Sequence, residues 1–458
     1  MSTHLTQTKP KMASFKNLPR EAPALVFAAP SFAAITAVSV TLLLFFVTFS
    51  SRAPPTLPPV IFNPQLVISF YDSSAIPSFS VPQSDTLDST ENGEDVIQAE
   101  RNGDVQSCVD LFDGMWVLDD SLPSYLPGSC PFIDAAFDCH TNGRRDANYT
   151  KLRWQPKGCT IPRMNGRKML EFLRGKRLAF VGDSLNRNMW ESLVCMLRNS
   201  LTKKSTVFEA SGRREFKAES FYSFIFTEYN CSIEFFRSPF LVQQWEIQDS
   251  SGRYRETLRL DKVDNSSEKY RDADIIVFNS GHWWTHEKTS KGLNYYQEGD
   301  TVHPQMSSEE AYRKALTTWA QWIDANIDPD RTQVIFRGYS WTHYSGGQWN
   351  SGGSCDGEIQ PITDERHLAH YPALISILDS ILLEMKTPVL YLNVTRMTDY
   401  RKDGHPSVYR YPEKERRHNV VQDCSHWCLP GVPDSWNELL YAMLLQRLGS
   451  EIRSVQSE

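Results

Sequence analysis

Leu178-Ala-Phe-Val-Gly-Asp-Ser-Leu-Asn-Arg187 decides the fold. Arg177–Val181 is apolar without alternation after its first residue, as expected of a short strand buried on both faces. Gly182, Asp183 and Ser184 form a turn, and the spacing of Asn186–Leu197 predicts a helix. A buried strand that feeds a helix through a tight turn is the repeating unit of an open α/β sheet. The pattern recurs outward from this stretch. Ile275–Asn279, Val334–Arg337 and Val389–Val394 are further apolar runs of strand length. Ser308–Asn326 reads as a helix capped by Ser307, with Glu309 and Glu310 in its first turn. Glu365–Lys386 reads as a long helix, and Asp434–Leu448 as a last one stopped by Gly449. The expectation is one large α/β domain over residues 107–458, an αβα sandwich with a mostly parallel central sheet. Its first part, 108–175, is Cys-rich and turn-rich.

Open α/β sheets place ligand sites beyond the carboxyl ends of their strands. Ser184 stands at such an end and at a helix N-terminus, where backbone N–H groups and the positive end of the dipole stabilise an oxyanion. Gly182 allows close approach by another group. Ser184 is therefore a candidate nucleophile; the alternative is a serine that only caps the helix. A serine nucleophile needs a base, and the base an orienting acid. In Gln422-Asp-Cys-Ser-His-Trp-Cys428, Asp423 and His426 are three apart, so one turn brings carboxylate to imidazole. Cys424 and Cys428 flank the pair, and disulfides there would lock it; the plainer reading is two polar loop residues. In Asn279-Ser-Gly-His-Trp-Trp284, Asn279 is a candidate oxyanion-hole amide and His282 a candidate substrate ligand, with structural roles open for both. Arg337–Cys355 holds a glycine-rich loop crowded with aromatics, which lacks the Lys and spacing of a phosphate-binding loop. It reads as a sugar-binding or lid loop, or as a surface loop pinned by a disulfide.

The rest of the chain bears on location. No charged residue lies between Glu21 and Arg52, and Phe32–Phe49 is almost wholly apolar. A span of this kind reaches nearly across a bilayer core. Lys9, Lys11, Lys16 and Arg20 precede it, which places the N-terminus in the cytosol. The expected organisation is a basic cytosolic tail and entry segment (1–31), a transmembrane signal anchor (32–50), and a flexible luminal stem rich in Pro, Ser and acidic residues (51–106). A cleaved signal peptide is the rival, but its apolar region is usually shorter and no clean small-residue cleavage site follows Phe49. All nine cysteines lie after the apolar span, as expected in an oxidising compartment. The spacing of Cys424 and Cys428 is not a usual zinc spacing and no second close pair completes a tetrad, so no metal is expected. Sequons at Asn148, Asn230, Asn265 and Asn393 fit a luminal position. The net charge of −7, with no basic run, argues against nucleic acid.

Several stretches together resemble the plant trichome birefringence-like family, relatives of the GDSL/SGNH esterases. They are Cys108–Trp116, Asn142-Gly-Arg-Arg-Asp146, Arg153-Trp-Gln-Pro156, Val181–Asn188, Asn279–Trp284, Arg401-Lys-Asp-Gly-His-Pro406 and Asp423–Asn437. The two Gly-Gly pairs before Cys355 resemble the branch that contains trichome birefringence itself. The resemblance implies a GDSL/SGNH-like fold, with Ser184 as nucleophile, His426 as base and Asp423 as its orienting acid. It implies disulfides Cys108–Cys159, Cys130–Cys195, Cys139–Cys428 and Cys355–Cys424, leaving Cys231 unpaired inside the Asn230 sequon. That leaves Asn148, Asn265 and Asn393 as the expected glycosylation sites. The implied activity is transfer of acetyl groups to hydroxyls of cell-wall polysaccharide (xylan, pectin or another hemicellulose) in the Golgi, through an acetyl-serine. It needs no bound cofactor, only an acetyl donor as co-substrate. Rival readings are an acetylesterase with the same residues and a noncatalytic protein that bridges pectin.

Overall fold

The computed structural model describes residues 108–456, apart from positions 120, 122, 218, 249–251, 418 and 419. The expected tail, anchor and stem lie outside the described residues. Among those described, no helix is long and apolar enough to cross a membrane.

The described chain opens with two antiparallel strands, β1 (Gly114–Leu118) and β2 (Leu152–Pro156), joined by the cross-strand pair Trp116–Trp154. A short helix α1 (Gly166–Phe172) leads into β3 (Arg177–Gly182) and helix α2 (Ser184–Asn199). Five strands follow: β4 (Val207–Glu209), β5 (Phe221–Phe226), β6 (Cys231–Arg237), β7 (Val242–Gln248) and β8 (Tyr254–Val263). Then come α3 (Ser267–Tyr270), β9 (Ile275–Phe278), β10 (Tyr296–Glu298), β11 (Thr301–Val302), α4 (Ser308–Asn326) and β12 (Gln333–Arg337). The chain ends with α5 (Ala373–Glu384), β13 (Val389–Leu392), α6 (Thr395–Asp399) and α7 (Val432–Gln456).

The central sheet has seven strands in the order β13-β12-β9-β3-β6-β5-β4. From β13 to β6 all neighbours are parallel, while β5 and β4 continue the sheet antiparallel. The sheet is therefore mixed. Side chains alternate across it, as strand geometry requires. Leu178 and Phe180 face a layer that includes Trp190, Leu193 and Leu440 of α2 and α7. Ala179 and Val181 face Ala315, Trp319 and Ile323 of α4 and Leu378 of α5. Helices thus cover both faces, giving the αβα arrangement. A second sheet, β11-β10-β8-β7, adds Leu258 and Leu260 to the α4 side.

Two helix boundaries differ from expectation. The helix expected over Glu365–Lys386 begins only at Ala373; Glu365–His367 is a single 3-10 turn. Pro372 explains this, since proline pushes the preceding residue out of helical conformation but is itself tolerated at a helix start. The last helix begins at Val432 and runs through Gly449 to Gln456, so that glycine does not stop it.

Four disulfides join Cys108–Cys159, Cys130–Cys195, Cys139–Cys428 and Cys355–Cys424, and Cys231 is free and buried. The Cys139–Cys428 bridge ties the Cys-rich first part to the segment just after His426. Buried Arg144 adds to that tie by donating to the carbonyls of Asp403 and His405.

Candidate active site

The motif after β3 can be read residue by residue. Gly182 has a φ of 154°, and a side chain there would overlap Asn279. Asp183 is the N-cap of α2, accepting from the Leu185 N–H at 2.9 Å. The cap is thus Asp183, and Ser184 is free to be the first helical residue. Asn186 donates to the carbonyls of Val181 and Val277, joining the carboxyl ends of β3 and β9. Asn188 exchanges two hydrogen bonds with the backbone of Trp427, next to His426. One helix turn therefore displays Ser184 and fixes the distant segment that faces it.

Ser184 Oγ lies 2.6 Å from His426 Nε2. His426 Nδ1 lies 2.8 and 3.0 Å from the two carboxylate oxygens of Asp423. A carboxylate only accepts, so Nδ1 carries the proton and the Nε2 lone pair faces the serine hydroxyl. Burial alone would raise the Asp423 carboxyl. The His426 imidazole and the hydrogen bonds it and its backbone N–H donate hold it well below the usual carboxylate range. The segment is fixed on every side. Cys424 and Cys428 are both disulfide-bonded, to the glycine-rich loop and to the first part of the chain. Ser407 clasps the Asp423 backbone through two hydrogen bonds. It does so at a φ of 51°, which costs a non-glycine residue ~1–3 kcal/mol. His405 Nδ1 donates to the His426 carbonyl, and Phe137 packs on the His426 ring.

Asn279 and His282 belong to a second cluster. The Asn279 amide nitrogen donates to Asp183 Oδ1 at 2.8 Å, and its oxygen accepts from the Asp183 N–H at 3.0 Å. Asn279 is buried and lines neither cavity beside Ser184, so its observed place is as a clamp on the Gly182–Asp183 turn. His282 Nε2 donates to the Ser340 carbonyl, its ring stacks on Tyr339, and its Nδ1 is 3.9 Å from Asp183. Burial drives this imidazole down to about 4, against the pull of Asp183. The fully buried Arg337, 4.0 Å from Asp183, completes the group. Burial would raise Asp183, but its cationic side and its hydrogen bonds outweigh that and keep it ionised. A helix cap is worth about 1 kcal/mol. Leaving a buried carboxylate unpaired costs several. The neighbours, more than the cap, therefore hold Asp183 here.

Two cavities meet at Ser184 and His426, of about 320 and 220 Å³. The larger is walled by His282, Tyr339, Tyr344 and Trp349, so the glycine-rich loop faces the nucleophile. Trp283 and Arg410 line both. Arg337, Lys288 and Arg410 were not singled out in the sequence. For Arg337 a signal existed: it ends β12, at the same edge of the sheet as Asn279 after β9. Of the expected glycosylation sites, Asn148 and Asn265 are exposed. Asn393 is half-buried and its side chain caps Thr395.

A family model described as a GDSL/SGNH-like acyl-esterase family found in Pmr5 and Cas1p matches residues 161–443. The PMR5 N-terminal domain matches residues 106–160. Trichome birefringence-like 1 of Arabidopsis thaliana is 60% identical over 348 residues, covering 75% of this chain and 62% of that protein. Trichome birefringence of the same plant is 60% identical over 343 residues, 74% of this chain and 56% of that protein. The chain thus spans about three fifths of the length of these two relatives. Trichome birefringence-like 4 is 51% identical over 410 residues, 85% of this chain and 89% of that protein. With more than half its length under one family model and 89% of a relative covered, this chain belongs to the GDSL/SGNH-like acyl-esterase family, among the trichome birefringence-like proteins.

Proposed function

We propose that this protein transfers acetyl groups to hydroxyls of a cell-wall polysaccharide through an acetyl-Ser184 intermediate. The observation that carries the reading is the continuous line from Asp423 through His426 to Ser184 Oγ, at 2.8 and 2.6 Å. In the first half-reaction Ser184 Oγ attacks the acetyl carbonyl of the donor, and its proton passes to His426 Nε2. The oxyanion rests against N–H groups at the start of α2, which have no carbonyl one turn back to bind. His426 then returns the proton to the leaving group, and acetyl-Ser184 remains. In the second half a sugar hydroxyl gives its proton to His426 and attacks the acyl carbon. Ser184 leaves and recovers the proton. Asp423 holds the imidazole in its tautomer throughout and stays ionised.

Two cavities that share the nucleophile favour transfer over hydrolysis, because donor and acceptor each have a place. Indole and phenol rings along the larger one suit the apolar faces of sugars. The apolar stretch 32–50 and the luminal-type cysteines support a Golgi membrane location with the catalytic part in the lumen. A brief incubation with acetyl donor, followed by peptide mass analysis, tests the intermediate. The expected result is one acetyl group on the peptide that contains Ser184. A chain that acetylates sugar without ever carrying acetyl on that peptide contradicts the mechanism.

A further inference from the structure

The whole protein is acidic, with a net charge of −7. The two cavities at Ser184 have the opposite balance. The carboxylates that line them are Asp183 and Asp423, and both are already committed, to the Asn279–Arg337 cluster and to His426. The cations are Lys217, Arg237, Lys288 and Arg410, beside Arg187, which is paired with Asp134 and Glu191. None of those first four has an ion-pair partner among the described residues. Lys288 is the best placed. Its ammonium sits 4.8 Å from the ring centre of Trp283 and 5.4 Å from that of Trp349, in the wall of the larger cavity. Trp349 is 42% exposed, an open aromatic face beside a half-buried cation. Arg237 lies over the same Trp283 from the second cavity, at 5.7 Å. Burial lowers the Lys288 ammonium from its ordinary value, so an incoming anion restores what desolvation removes.

An aromatic face beside an unpaired cation, repeated on both sides of the nucleophile, fits a chain of rings that each carry a negative group. We infer that the acceptor is a uronic-acid polysaccharide, with one ring stacked on Trp349 and its carboxylate on Lys288, and the neighbouring units running toward Arg410 and Arg237. Neutral hemicellulose backbones offer the ring faces but nothing for the cations. The inference rests on the acyl-transfer reading for which substrate half the cleft serves, yet it is tested by binding alone, with no acetyl transfer taking place.

The experiment measures binding of tetragalacturonate to the detergent-solubilised full chain carrying Ser184→Ala, by tryptophan fluorescence and by calorimetry. Xylotetraose and mannotetraose serve as neutral probes of the same length. Tetragalacturonate is expected to bind at least ~tenfold tighter than either. That preference is expected to weaken as salt screens it. Adding Lys288→Gln should remove most of the preference, and Lys288→Arg should keep most of it, at unchanged Tm. Equal affinity for acidic and neutral probes overturns the inference. So does a Lys288→Gln protein that keeps the preference, or one that instead weakens acetyl-coenzyme A, a donor whose phosphates could occupy the same cations. Failure of the acyl-transfer reading appears elsewhere, as absence of acetyl on Ser184.

Discussion

The site holds two carboxylate–histidine pairs, and they behave differently. Asp183 and His282 come from the more conspicuous motifs, each directly after a buried strand, yet their closest approach is 3.9 Å and His282 spends its N–H on a carbonyl. Asp423 and His426 come from an irregular loop; they meet at 2.8 Å, and the far nitrogen faces Ser184. Both pairs are largely shielded from water. What separates them is where the second imidazole nitrogen points. The first pair is built to hold a turn, with Arg337 and Asn279 as its other partners. The second is built to pass a proton, and two disulfides and a strained Ser407 keep it aligned. A Gly-Asp-Ser triplet therefore contributes its serine to the chemistry and its aspartate to the scaffold.

Substitutions can break this contrast, beginning with the largest effect. Ser184→Ala and His426→Ala should each lower kcat by on the order of 10⁶, and the double variant should be no worse, because the residues act as a unit. Steady-state acetyl transfer checks this. Additive losses would mean that they act separately. Asp423→Asn should lower kcat by on the order of 10⁴ while leaving Tm close to wild type, since the amide keeps the shape but favours the wrong imidazole tautomer. Asp183→Ala should show the reverse balance. It strands Arg337 and uncaps α2, so urea unfolding should give a loss of about 3 kcal/mol, while activity per folded molecule falls far less than for Ser184→Ala.

The last contrast is in pH. His282 is held neutral down to about 4 in the folded state, while an exposed histidine takes its proton near pH 6.5. Below pH 6.5 the unfolded chain binds a proton at this position that the folded chain refuses, so the His282 contribution to stability falls as pH drops from about 6.5 to 4, while the Asp399 and Asp434 carboxyls, pushed by burial up to about 6 and about 7, act in the opposite direction. His282→Gln should remove its own share of that slope, while His343 and His405, also lowered by burial, keep theirs. Asp183 and Asp423, whose folded carboxyls are lowered, act further down: their contribution is present above the unfolded value near 4 and is lost below it. An unchanged slope between pH 6.5 and 4 in His282→Gln would place the titrating group elsewhere.

Much of this was legible in the sequence where apolar runs are uninterrupted. β3, β9 and β12, and helix α4 with its Ser307 cap, stand where the pattern predicts, and Ser184 from one strand end meets Asp423 and His426 from one loop, two separate readings. β6 was not legible, although it is the parallel neighbour of β3. Its run Cys-Ser-Ile-Glu-Phe-Phe-Arg carries Ser232 and Glu234 inside, and the partners of that carboxylate, Arg177 on the adjacent strand at 2.7 Å and the Ser232 hydroxyl, show why it belongs there. β7 and β8 were missed for a related reason: they form a separate sheet, and β7 buries little. The place of Asn279 was also hidden. Its position after a strand suggested an oxyanion donor, and only the close approach at Gly182 reveals that its amide is taken by Asp183. Pro372 was visible and sufficient to shorten the helix expected over Glu365–Lys386.

The most direct test of the account supplies the full chain with an acetyl donor and a panel of deacetylated wall oligosaccharides, beside Ser184→Ala, and reads the sugar masses. The account predicts a gain of one acetyl group that vanishes in Ser184→Ala. Release of free acetate with no acetylated sugar, equally dependent on Ser184, would contradict transfer and leave a hydrolase.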